Sequence, residues 1–155
     1  MKKIFVFLFL YSLLLNSCGK TTSGCQPVPV ISERAQLIAY CSANSINYTE
    51  HSSGLLYEII NPGTGVSPTA TSSISVVYTG KFLDGSTFTA IANPLDFSLA
   101  GNIIDAFKIG IPLLKKSGRI KLIIPSALAY SCSGNPPVIP PNTPLFYDIT
   151  LSDIK

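Results

Sequence analysis

Five prolines crowd the nine positions from Pro136 to Pro144, and no other stretch limits the fold of this chain so tightly. Proline locks φ and has no N–H to donate, so neither a helix interior nor a central strand can pass through NPPVIPPNTP. The segment must be a stiff loop with little conformational entropy left to lose. It separates the apolar run RIKLIIP from LFYDITLSDI, which therefore read as two strands joined by a rigid connector.

Upstream, the period is mostly two. GLLYEII reads as a strand from Gly54 and NPGTGVSPTAT as a turn-rich loop. SISVVYTG sets Ile74, Val76 and Tyr78 against Ser75, Val77 and Thr79, a half-buried strand. A turn at Leu83-Asp84-Gly85-Ser86 leads to a short strand at Thr87-Phe88, and PLDFSLAG carries Leu95, Phe97 and Leu99 on one face. The one helical stripe in this half is Ile104, Phe107 and Ile111, stopped near Pro112. Five or six antiparallel strands with one short helix across a face make an α+β domain.

The beginning of the chain has a different character. Lys2 and Lys3 precede an apolar run from Ile4 to Leu15, about twelve residues, too short to cross a bilayer and suited to a signal h-region. Leu15-Asn16-Ser17-Cys18 resembles the lipobox of bacterial lipoproteins, which implies cleavage before Cys18 and acylation of it. An uncleaved anchor, or a plain secretory signal with an incidental cysteine, is the alternative. The expected organisation is a signal peptide over 1–17, a lipid-anchored tether over 18–30 that spans roughly 20 Å, a helical extension over 31–52 and the main domain over 53–155. The extension should open at Ser32 as N-cap, bury Ile31, Ala35, Ile38 and Cys41, and end near Asn44 as an ornament packed on the domain.

Export would place Cys25, Cys41 and Cys132 where disulfides persist. Cys41 reads as a buried free thiol. Cys25 and Cys132, both in loop-like sequence, are the preferred pair, although connectivity cannot be deduced from sequence. A metal site from these cysteines and His51 is the alternative, but no CxxC or HxxxH spacing supports it, and His51 reads as a solvated loop residue. No metal or cofactor is expected.

Composition excludes more than it names. The formal charge of +3 includes Lys2 and Lys3, and without them nine basic residues face eight acidic ones. Such a balance gives no electrostatic reason to seek nucleic acid. With only 12% charged residues, the surface must be wetted by Ser, Thr, Asn and backbone. One histidine and no GxSxG leave no nucleophile–base arrangement for hydrolysis. What remains is a set of aromatic and branched residues beside loops, which taken alone is more often core than site.

Order and spacing change that. VVYTGKFLDGSTF, PLDFSLAGNIIDAFKIGIPLL, GRIKLIIPSALAY and GNPPVIPPNTPLFYDITL together resemble the FKBP-type peptidyl-prolyl cis-trans isomerases over about Gly54 to Lys155. The resemblance implies a five- to six-stranded antiparallel sheet wrapped around one short helix, with the pocket between them. It implies that Tyr78, Phe88 and Phe97 are pocket walls, and that the Ile104 backbone N–H of the Ile103-Ile104 pair meets a ligand carbonyl. Phe107 would be the floor, where the family usually has tryptophan. Tyr130 would donate its hydroxyl to the substrate, and Tyr147 stands where the family has phenylalanine. Val138 and Ile139 would be an apolar lip that the prolines hold over the mouth.

Thr89 replaces a usual aspartate, Leu95 a frequent aromatic, and Ser131-Cys132 the glycine after the tyrosine. These departures point to a weaker isomerase, with a non-catalytic peptide-binding or chaperone lipoprotein as the alternative. Implied partners are proline-containing polypeptides and macrolide inhibitors, with the membrane reached through Cys18. The expected location is the cell envelope. Gly19 lacks the aspartate associated with inner-membrane retention, which favours the outer membrane, facing the periplasm.

Overall fold

A computed structural model describes residues 24–155 of the chain. The expected signal peptide, Cys18 and the tether up to residue 23 lie outside the described residues. The first element is α1 (Val30–Ala43). It opens two residues before Ser32: Pro29 occupies the cap position at φ −59° and ψ 134°, and Ser32 N–H donates to Pro29 O at 2.9 Å. The expected stripe is also displaced. Ile31 is 75% exposed and Ala35 is exposed, while Glu33, Leu37 and Cys41, four residues apart, form the buried face. The helix stops where Ser45 turns left-handed at φ 53°.

Two residues, Thr49–Glu50, form β1, which pairs with β2 (Leu56–Asn61) across a turn. In that turn His51 is half-buried rather than solvated, and its Nδ1 accepts from Ser53 N–H at 3.1 Å. β3 (Ser73–Phe82) and β4 (Thr87–Ser98) follow, joined by the expected turn, where Gly85 sits at φ 91°. The two short strands expected after that turn are one twelve-residue strand. Val76 faces Leu95 and Tyr78 faces Ile91, so Ala92, Asn93 and Pro94 bulge out of the ladder, where a proline costs no hydrogen bond.

α2 (Asp105–Gly110) continues into a 3₁₀ turn at Ile111–Leu113. β5 (Arg119–Ile124), two further 3₁₀ turns at Ser126–Leu128 and Ser131–Ser133, and β6 (Leu145–Ile154) complete the described chain. The six strands run in the order β1-β2-β5-β6-β3-β4, every pair antiparallel. This is the FKBP-like arrangement of a sheet around one short helix.

Apolar side chains cover both faces of the sheet. On one face α2 packs with Ile74, Val76, Ile120, Leu122 and Ile149 into the main core. A Cβ on Gly110 would lie 2.7 Å from Leu122 Cδ2, so the absence of a side chain there lets α2 come close to β5. On the other face α1 covers Leu56, Ile123 and Phe146 with Leu37 and Cys41. Leu122 and Ile123, adjacent in sequence, therefore belong to different cores, as strand geometry requires.

Candidate active site

Between α2 and the main sheet face lies a hollow of about 290 Å³. Tyr78 reaches it from β3, Leu95 and Phe97 from β4, and Tyr147 from β6. Ile103 and Ile104 come from the approach to α2, Phe107 from α2 itself, and Tyr130 from the link between the two later 3₁₀ turns. Residues far apart in sequence thus converge because β3 and β6 are neighbours and α2 crosses them. Asn102 completes the lining. Sequence reasoning missed it, since an exposed Asn beside a glycine reads only as turn chemistry.

Phe107 is the hub of the ring cluster. Its centroid lies 4.9 Å from Tyr147, 6.0 Å from Tyr78 and 6.2 Å from Phe97; the two tyrosines meet it edge to face and Phe97 stacks. Such arrangements are favourable beyond simple burial. Phe107 is 6% exposed and Tyr147 3%, so neither ring can swing without disturbing the core.

Phe88, expected as a wall, stands one layer behind the lining, 5.6 Å from Tyr147 and 5.0 Å from Phe82. Its ring covers Gly80, where a Cβ would meet Phe88 Cζ at 2.7 Å and Thr89 Cγ2 at 2.8 Å. Thr89 pairs with Gly80 and stays outside the hollow. The lip differs from expectation as well. Asn135 and Ile139 exchange hydrogen bonds of 2.8 and 2.9 Å, a tight turn that sends neighbouring side chains opposite ways. Val138 is accordingly 50% exposed, while Ile139, at 2%, joins the main core; neither lines the hollow.

Cys25 and Cys132 form a disulfide with Cα atoms 5.3 Å apart. Cys41 is free and buried. A shared metal site with His51 is therefore not built, and among the described residues no cluster of His, Cys, Asp and Glu is arranged to hold a metal.

The polar side chains at the hollow are few: the hydroxyls of Tyr78, Tyr130 and Tyr147 and the Asn102 amide. Burial pushes the Tyr147 phenol far above its ordinary range, with the neighbouring Tyr130 and Tyr78 adding to the effect. Burial also raises Tyr78, with a smaller push from Tyr130. Both phenols therefore stay protonated at neutral pH. Ile104 is the cap residue of α2, extended at φ −61° and ψ 144°, and its carbonyl accepts from Phe107 N–H at 3.0 Å. Among the described residues its own N–H has no acceptor, as the first amides of a helix generally do not. The lining contains no carboxylate, imidazole, thiol or aliphatic hydroxyl. It can bind and orient an apolar group with a flanking carbonyl, but it holds no pair for proton shuttling or covalent attack.

Fold and hollow together define an α+β domain with a ring-lined hollow able to take an apolar group. The profile of the FKBP-type peptidyl-prolyl cis-trans isomerases matches residues 65–152, more than half of the chain, and the chain belongs to that family. It is 39% identical over 107 residues to the FKBP-type peptidyl-prolyl cis-trans isomerase FkpA of Escherichia coli, covering 67% of this chain and 39% of that protein. A probable FKBP-type peptidyl-prolyl cis-trans isomerase of Haemophilus influenzae is 34% identical over 106 residues, covering 66% of this chain and 44% of its own length. The chain thus matches about two-fifths of the length of these relatives.

Among solved structures, FkpA from Escherichia coli superposes with a TM-score of 0.71 at 34% identity, covering 81% of this chain and 61% of that one. A peptidyl-prolyl cis-trans isomerase from Pseudomonas syringae gives 0.69 at 26% identity, covering 84% of this chain and 98% of its own.

Proposed function

We propose that this chain is a peptidyl-prolyl cis-trans isomerase that acts on exported polypeptides. The observation that carries the reading is the convergence of Tyr78, Phe107 and Tyr130, from three separate elements, on one hollow. Rotation about an X–Pro bond has a barrier of about 18–20 kcal/mol because amide resonance is lost on the way. The uncatalysed exchange takes on the order of tens to hundreds of seconds. At the twisted geometry the carbonyl is less polar and the nitrogen more amine-like, so a ring-lined cavity suits that state better than water does. Catalysis is then differential binding of the twisted amide, with no proton transferred. Phe107 receives the prolyl ring, while the Tyr130 hydroxyl and the Ile104 N–H hold flanking carbonyls in place. Tyr78, Phe97 and Tyr147 close the walls, and Leu95 and Ile103 extend an apolar rim toward the residues on either side of the proline.

The test is exchange of a proline-containing peptide, followed with and without the full chain. The wild type is expected to accelerate it well beyond a Tyr130→Phe, Phe107→Ala double variant; equal rates for the two proteins would reject the reading. Proline-containing polypeptides are the proposed substrates, and macrolides that fill such pockets are proposed inhibitors.

We infer further that the chain works in the cell envelope, held by an acylated Cys18, with the outer membrane as the favoured site. The support is the short apolar run ending at Leu15-Asn16-Ser17-Cys18, together with a disulfide that needs an oxidising compartment. A mass spectrum of the mature protein is expected to begin at Cys18 with diacylglyceryl and acyl additions. An unmodified Cys18 would overturn the anchor.

A further inference from the structure

The N-terminal extension touches the domain at places that an ornament would not choose. Tyr130 lies in the segment from Pro125 to Asn142, which has no regular element beyond two single 3₁₀ turns. Three separate attachments reach this segment from residues 25–33. The Glu33 carboxylate accepts from Ser126 N–H at 2.7 Å, capping the first 3₁₀ turn from α1, and both residues are buried. The Cys25–Cys132 disulfide fastens the second turn, two residues beyond Tyr130. At the far end Asn142 pairs with the arm as a strand would: its Oδ1 accepts from Val28 N–H at 3.3 Å, and its Nδ2 donates to Gln26 O at 3.2 Å. Asn142 N–H in turn donates to Ser131 O at 2.7 Å, closing the loop on the residue next to Tyr130.

The segment needs holding. Ser131 at φ 51° occupies the left-handed region that most residues with a side chain enter reluctantly, while Asn142 at φ 52° is of a type that tolerates it. Three-residue 3₁₀ turns have poor hydrogen-bond geometry and give little stiffness of their own. Burying a carboxylate is costly unless it is hydrogen-bonded, and the chain buries Glu33 where it caps the turn that leads to Tyr130.

We propose that residues 25–33 are a positioning device for Tyr130: Cys25, Glu33 and the Asn142 contact hold its hydroxyl at the hollow, so turnover depends on an arm that never touches substrate. This rests on the isomerase role of Tyr130 given above. A hydrogen bond that must meet the twisted amide loses most of its value when the donor wanders by even an ångström.

The test uses the full chain carrying Glu33→Gln, Asn142→Ala or Cys25→Ser with Cys132→Ser, each in the wild-type and in the Tyr130→Phe background. Proline exchange gives kcat and KM, and melting curves confirm that every variant is folded at the assay temperature. Each arm variant is expected to lower kcat by about threefold to tenfold with little change in KM, and to cause no further loss once Tyr130 is Phe. A lowered melting temperature with unchanged kcat, or an equal loss in the Tyr130→Phe background, would overturn the proposal. Amide hydrogen exchange over residues 126–142 gives a reading independent of turnover. Faster exchange there, with β3 unchanged, supports the brace even if the wild type proves inactive; unchanged exchange in all three variants rejects it.

Discussion

Phe107→Ala is expected to lower the unfolding free energy by about 3–5 kcal/mol and to remove measurable isomerisation, the largest combined effect of any single substitution in the site. The ring is 6% exposed and touches three other aromatic rings, so truncation leaves a void that extends the existing hollow into the core. Tyr147 and Tyr78 are anchored on β6 and β3, which are paired along their whole length, so the backbone cannot close on the gap. Phe107→Leu separates packing from function. Leucine refills much of the space, and its cost should stay nearer 1–1.5 kcal/mol, while the flat floor for a prolyl ring is lost as completely as with alanine. Urea titrations and peptide exchange on the two variants check this. Stability should rank wild type, Leu, Ala, whereas activity should drop to a low level at the first step. If Phe107→Leu retains near-wild-type turnover, the prolyl ring does not rest on residue 107.

The residues of this hollow were legible in sequence because strand alternation and the single helical stripe fix which side chains share a face. Tyr78 follows Ile74 and Val76 in period two, and Phe107 precedes Ile111 by one helical turn. Where legibility failed, a contact distant in sequence had decided the matter. The expected stripe of α1 holds at Cys41 and fails at Ile31 and Ala35, because the buried face contains a charge. No helical pattern announces that the Glu33 carboxylate accepts from the Ser126 N–H, ninety-three residues away. Ile139 looked like part of a lip, but a turn closed by Asn135 folds it inward. β4 read as two strands because Asn93-Pro94 looks like a break, and the bulge that absorbs it depends on the register of β3. The second core did leave a trace. Leu55-Leu56 and Leu122-Ile123-Ile124 are apolar at consecutive positions, which a strand needs only when both faces are covered. That pattern asks for a cover on the far side of the sheet, and α1 is the cover.

Leu37→Ala is expected to cost about 2–5 kcal/mol, a surprising sum for a helix that lies outside the FKBP-like sheet-and-helix unit. A helix of α1's length is marginal in isolation, so its docking must come from tertiary burial. That burial is concentrated: Leu37 is fully buried among Cys41, Ile46, Leu56, Ile123 and Phe146, whereas Ile31 contributes almost nothing at 75% exposure. Without Leu37 the helix retains the Tyr40–Phe146 ring contact at 5.5 Å and the exposed Arg34–Glu50 ion pair, the latter worth little in water. Loosening α1 uncovers Leu56, Ile123 and Phe146 on the outer face of the sheet, so binding of a hydrophobic dye should rise before the main core melts. The disulfide keeps Cys25 at Cys132 throughout, whereas Glu33 rides on the helix and leaves Ser126 with it. Leu37→Ala should therefore lower kcat about as far as Glu33→Gln does. A Leu37→Ala protein that melts early, binds dye and still turns over at the wild-type rate would show that α1 serves stability alone.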